Sequence, residues 1–210
     1  MSLKRLPLKK RKPVTIQPRR GRNSLSRGEI LEASFFILKS EGLDALSMRR
    51  IAMQLGCSVA SPYAHFQNRE EIIRELIALG ERQLTSDLRK AQETSTDVFV
   101  QLHNIAKTYW QFATENRELH KIMFNMDIGK MYRKVFPHLP TSYRVFLETI
   151  RGGIRSGAIR GRNRRGLART MWAWMYGLIV LDMGSMVSDR GAQAAAVEEG
   201  IEIFKHALRN

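Results

Sequence analysis

The 210-residue chain reads as all-helical, on three observations. Apolar residues recur at helical spacing along most of its length, no stretch keeps a strand-like alternation, and cap-forming residues open the helical runs while Gly, Asn or Pro closes them. A hydrophobic content of 43% argues for packing rather than disorder, and the length allows one larger domain or two small ones sharing a core. Chain order suggests a disordered basic arm at 1–25, a three-helix segment at 26–72 and a helical body at 73–210.

The net charge of +15 is uneven. Nine of the 35 Lys and Arg residues fall in the first 24 positions, which hold no acid, leaving +6 for the remainder. With its prolines and dense charge this arm cannot bury enough apolar surface to fold alone. It can neutralise DNA phosphates and place Arg19, Arg20 or Arg22 in a narrow minor groove, as basic arms of other DNA-binding domains do. The alternative is a solubilising tail; that the arm runs directly into the first helix favours DNA contact. A single cysteine, Cys57, excludes an internal disulfide and suits a reducing compartment. The basic start is followed by KKRKP rather than an apolar core, so no secretory signal is expected and the cytoplasm is the expected location.

Ser26 and Glu29 form an S-x-x-E capping box that opens the first helix, which continues through Ile30, Ala33, Phe36 and Ile37 to a stop at Gly42. Ser47 caps a second, short helix with Ile51, Ala52 and Leu55 on one face. Gly56 stands where the chain reverses, and a third helix over about 58–64 begins at Ser58. Asn68, with Glu71 at the third helical position, caps a fourth. Two short helices around a glycine turn are the layout of a helix-turn-helix, whose second helix enters the major groove. Arg49, near the start of the second helix, is placed to reach a guanine edge or a phosphate. Arg69 at a helix start makes a phosphate clamp.

Ile51-Ala52, Gly56, Ser58, Tyr63-x-His65-Phe66 and Arg69-Glu70 together resemble the DNA-binding domain of the TetR family of bacterial regulators, over roughly residues 26–80. Ser47 stands where that family usually has Thr, Cys57 where it has Val and Arg69 where it has Lys. Pro62 replaces a common Leu inside the third helix, where it costs at most one backbone bond if Ser58 is the cap. The resemblance implies a sequence-specific regulator of double-stranded DNA. Ser58, Val59, Ala60 and Ser61 would face the groove, Ser47 would lie at the interface, and Tyr63 and His65 would lie nearer the phosphates. His65 has an equal alternative role in locking the third helix to the fourth, and Phe66 reads as core.

In the body, helical runs follow at 72–89, from Val98 through Phe112, around LHKIMFNMDI and over 143–156, with a final amphipathic helix from Ala192. Residues 171–187 are apolar all round except at Asp182. They fall short of the roughly 20 residues a bilayer span needs, so a buried helix is expected and no membrane partner. By the same resemblance, helices here pair with a second copy in a homodimer, with Gly177 and Gly184 allowing close approach. Trp174-Met-Tyr-Gly177-Leu is similar to the W-x-H-G-L pattern of one TetR subgroup, with Tyr176 in place of His. The ten methionines and the aromatics of the body supply walls for a small, mainly apolar effector: Tyr109, Trp110, Met123, Phe124, Met126, Trp174 and Met175, with Asp182 as a polar partner. Ordinary bundle core is the competing reading for each. The arginine cluster at 160–169 is a second nucleic-acid patch or, by the preferred reading, a solvated loop.

His103, His120, His138 and His206 lack companions at ligand spacing, and no glycine-rich phosphate loop is present, so neither catalysis, metal nor cofactor is expected. The combined expectation is a homodimeric, effector-released repressor. An architectural, weakly specific DNA-binding protein is the alternative; it explains the charge but not the long apolar body.

Overall fold

The computed structural model describes residues 25–124, 140–160, 163–184 and 190–209. Among the described residues there are nine helices and no strand: α1 (Arg27–Glu41), α2 (Met48–Leu55), α3 (Ala60–Tyr63), α4 (Arg69–Glu93), α5 (Val98–Glu115), α6 (Arg117–Phe124), α7 (Thr141–Arg155), α8 (Arg164–Met183) and α9 (Arg190–Leu208). The all-helical expectation is met, with a helix-turn-helix followed by a helical body. The described residues form two compact units, 25–83 with 116–124 in the first and the remainder in the second; α4 is continuous through residues of both.

In the first unit the caps do what their chemistry requires. Ser26 Oγ accepts from the Glu29 N–H at 3.2 Å while the Glu29 carboxylate accepts from the Ser26 N–H at 3.0 Å, closing the capping box. Ser47 Oγ accepts from the Arg50 N–H, and Asn68 Oδ1 from the Glu71 N–H at 2.9 Å. Gly56 ends α2 in the left-handed region at φ 64°, where a Cβ would cost about 1 kcal/mol. α1 packs on α2 and α6 around Ile30, Ile37, Leu38, Ile51 and Phe66. Phe66 is 1% exposed, and the Arg27 guanidinium lies 4.0 Å over its ring. Arg27 also donates to the His65 carbonyl and to Glu71 Oε1, so one side chain ties the start of α1 to the end of the helix-turn-helix.

In the second unit α5, α7, α8 and α9 pack on one another. One cluster gathers Val98, Leu102, Ile150, Ile159, Met171 and Leu208. Beside it Trp172 stacks on Tyr109 with centroids 4.8 Å apart, and meets the edges of Tyr143 and Phe146. Two expectations need correction. The 160–169 segment is not a loop throughout: Asn163 Oδ1 accepts from the Gly166 N–H and α8 starts at Arg164, since an Asn cap followed by good helix formers outweighs the cluster's self-repulsion. Nor is that helix buried on all sides in a single chain, because Val180 and Leu181 are exposed while Met171, Met175, Ile179 and Asp182 are buried.

His120 of α6 is 2% exposed and packs against Phe124, and burial pushes its pKa down to about 3. The folded chain therefore holds this ring neutral where the unfolded chain, near 6.5, takes up a proton. Stability is full above about pH 6.5 and is lost as pH falls through that window towards 3. Urea unfolding at pH 7 and pH 5 should differ by about 2 kcal/mol from this ring, a difference that His120→Leu should remove.

Candidate nucleic-acid interface

α3 is shorter than its sequence suggests. Ser58 does not cap it; Val59 occupies that position without a side-chain bond, and Ser58 Oγ pairs with Ser61 Oγ at 2.8 Å. The reason is Pro62, which has no N–H to offer the Ser58 carbonyl, so that carbonyl accepts from Ser61 at 3.0 Å instead. Pro62 is then the third helical residue, where an N–H has no intrahelical partner, and it is buried. The Pro62 carbonyl accepts from both His65 and Phe66, which carries the chain into the core.

The consequence is a two-sided element. Pro62 and Phe66 face the core, while Ser58, Val59, Ala60 and Tyr63 are exposed, with Val59 at 48% and Tyr63 at 53%. Ser61 and His65 are half-buried, and His65 is held through its carbonyl by Arg27. Ser47 is half-buried and spent on its cap. On α2, Arg50 is bound to Glu41 and Gln54, whereas Arg49 beside it is exposed and has no acidic partner among the described residues. The hydrogen bond from Arg50 holds the Glu41 carboxyl below its usual range, and the Gln67 N–H does the same for Glu71, with Arg27 adding to it. Arg50 and Arg27 are thereby engaged by these acids.

Arg69 is differently placed from a simple clamp. Its Nη2 donates to the Leu43 carbonyl at 2.6 Å and its Nε is buried without a hydrogen-bond partner, so the guanidinium anchors α4 to the turn after α1. Arg19, Arg20 and Arg22 lie outside the described residues. Sequence reasoning missed Arg27 and the exposed Met53, at 64%; the second falls off the Ile51–Ala52–Leu55 face, which is the only signal it gave.

Of the effector-pocket candidates, Tyr109 and Met175 are buried, Asp182 is 9% exposed, and Trp110 and Trp174 are half-buried, all in the second unit. Trp174 meets the edge of Phe204 and is pressed by Gly200, where a Cβ would clash with its ring. Met123, buried, and Phe124, half-buried, belong to the first unit; Met126 lies outside the described residues. None of these lines the open cavity of about 460 Å³ in the second unit, whose walls include Phe99, His103 and Asn104 of α5 and Ile201 and Lys205 of α9.

Residues 30–76 match the model of bacterial regulatory proteins of the tetR family, and residues 102–204 that of the tetracyclin repressor-like C-terminal domain. The chain belongs to the TetR family. It is accordingly a DNA-binding transcriptional regulator, not an enzyme. The nucleoid occlusion factor SlmA of Vibrio vulnificus is 29% identical over 134 residues, 60% of this chain and 68% of that protein. The HTH-type nicotine-responsive transcriptional repressor HdnoR of Paenarthrobacter nicotinovorans is 25% identical over 112 residues, 53% of this chain and 56% of that protein. Among solved structures, a Rhodococcus sp. RHA1 protein of unknown function superimposes with a TM-score of 0.74 at 22% identity, covering 88% of this chain and 95% of that one. The TetR family regulator PfmR of Thermus thermophilus does so at 0.65 and 21%, covering 84% and 97%. These superpositions place the TetR fold across both units.

If Arg69 anchors α4, Arg69→Ala should lower the unfolding free energy by about 1 to 2 kcal/mol, whereas Tyr63→Ala should stay within about 0.5 kcal/mol of the parent in urea titrations. A purely DNA-facing Arg69 would leave stability unchanged.

Proposed function

We propose that this regulator is an effector-released repressor that binds a pseudo-palindromic operator as a homodimer. The observation that carries this reading is the two-sided α3: a buried Pro62–Phe66 edge holds it in place, and the opposite edge offers Val59, Ala60 and Tyr63, while on α2 the exposed Arg49 has no acidic partner among the described residues. Val59 and Ala60 suit thymine methyl groups, Ser58 and Ser61 a base or phosphate, Arg49 a guanine edge, and Tyr63 the backbone. His65, Ser47 and Arg69 contribute by position, holding the helices that carry these groups. The basic arm, through Arg19, Arg20 and Arg22, adds affinity along the flanking duplex.

The exposed apolar edge of α8 supports the dimer. Val180 and Leu181 lie open to solvent, and a Cβ at Gly177 would meet nothing within 4 Å, so a second copy can approach closely. Two α3 helices would then lie about 34 Å apart, one helical turn. The effector is a small, mainly apolar molecule of the body; a preference of a few kcal/mol for the non-binding arrangement suffices for release, with α4 as the connecting element. Repression under small-molecule control is also what the name of HdnoR describes for that protein. The cytoplasm is the setting, and among the described residues no helix is long and apolar enough to cross a membrane.

An architectural, weakly specific role is the second reading. It is favoured by the likeness to a nucleoid occlusion factor and by the short side chains of α3, which discriminate bases poorly. Selection of bound duplexes from a random pool separates the two. The full chain should enrich one short palindrome, Leu181→Glu should lose its twofold symmetry, and Arg49→Ala should change the preferred bases. No enrichment, with binding that vanishes steeply with salt, would support the architectural role instead.

A further inference from the structure

Between Glu148 and Asp182 the sequence carries seven arginines, no lysine and no acid. Six of them, Arg151, Arg155, Arg160, Arg164, Arg165 and Arg169, are described, and all are exposed on the second unit. Arg151 and Arg155 on the last turns of α7 and Arg164 at the start of α8 surround a hollow of about 160 Å³ whose remaining wall is Ile154. Several cations elsewhere are paired: Arg27, Arg50, Arg89, Lys107, Lys121 and Lys205 each lie against a glutamate. Among the described residues none of these six arginines does so. Two hydrogen bonds fix residues of this surface. The Asn163 cap starts α8, and the Arg160 N–H donates to the Leu208 carbonyl beside the Ile159–Arg209 bridge, tying Arg160 to the end of α9.

We propose that this arginine surface is a second, sequence-independent binding site for the phosphodiester backbone of DNA, separate from the helix-turn-helix. The inference rests on the chain being a DNA-binding protein. Like charges gathered without acids repel one another, and an anion relieves that repulsion. The exclusive use of arginine fits phosphate, which a guanidinium meets with two parallel hydrogen bonds and a lysine meets as a point charge. The surroundings argue against a protein partner. Protein interfaces are centred on apolar and aromatic groups, but no large exposed hydrophobic side chain falls among the described residues from 141 to 169. Polar, strongly positive surfaces are the mark of nucleic-acid contact.

The test compares three full-length proteins on a labelled duplex of unrelated sequence between about 50 and 200 mM salt: the parent, the triple variant R151Q/R155Q/R164Q and Tyr63→Ala. The triple variant should bind less tightly by about tenfold at the low-salt end, and its log–log salt slope should be shallower by about 2 to 3, one phosphate per arginine. Its preference among operator sequences should be unchanged. The triple lysine variant should recover most of the slope, which a folding defect would not allow. An unchanged slope and affinity in the triple variant, with Tyr63→Ala weakened, overturns the second site and leaves the helix-turn-helix reading intact. If neither variant weakens, the reading of α3 falls as well. Parent-like duplex binding by the triple variant, combined with lost retention on anionic phospholipid vesicles or on polyglutamate, overturns the proposal in favour of a membrane or an acidic protein.

Discussion

A helix of four residues has no stability of its own, since nucleation alone costs more than one turn returns, so α3 exists because its neighbours hold it. Pro62 and Phe66 supply the hold. Burying Phe66 is worth about 2 to 3 kcal/mol, and the Arg27 guanidinium over its ring adds about 0.5 to 1 kcal/mol while closing hydrogen bonds to the His65 carbonyl and Glu71. The other edge of α3 is thereby presented rather than merely exposed. An element with so few residues needs this, because most of its side chains are short and their placement must come from the backbone.

The second unit solves a different problem. Trp172 fills its aromatic centre against Tyr109, Tyr143 and Phe146, while the far side of the same helix leaves Val180 and Leu181 in water. A helix that is apolar all round is stable only if every face is covered, and the homodimer proposed above would supply that cover. Acids pair with single cations on α1, α2, α4, α5, α6 and α9, whereas among the described residues the arginines at the α7–α8 corner have no such pair.

What was legible in the sequence was local. Ser26 with Glu29, Ser47, Gly56, and Asn68 with Glu71 act on neighbours within four residues, and each sits in the structure as its chemistry predicts. The helix-turn-helix and the all-helical body followed from these signals and from apolar spacing. What the sequence hid was decided by tertiary contacts. Pro62 moved the start of α3, Arg69 was drawn to a carbonyl 26 residues away, and Arg27 found a ring 39 residues on. Trp172 and Trp174, two residues apart, diverge to different neighbours because the helix turns about 200° between them, and composition cannot say which enters the centre. The candidate effector residues were chosen for softness and aromaticity, which core and pocket share, so their separation between the two units could not be read in advance.

The central claim is that the exposed edge of α3 enters the major groove twice, in symmetric register. Hydroxyl-radical and guanine-methylation footprinting of the full chain on its selected duplex measures this most directly. The account predicts two equal protected patches about one helical turn apart, roughly 34 Å, related by a twofold axis and with major-groove guanines shielded in each. A single patch, or continuous protection of the backbone with the major-groove guanines left open, would contradict it.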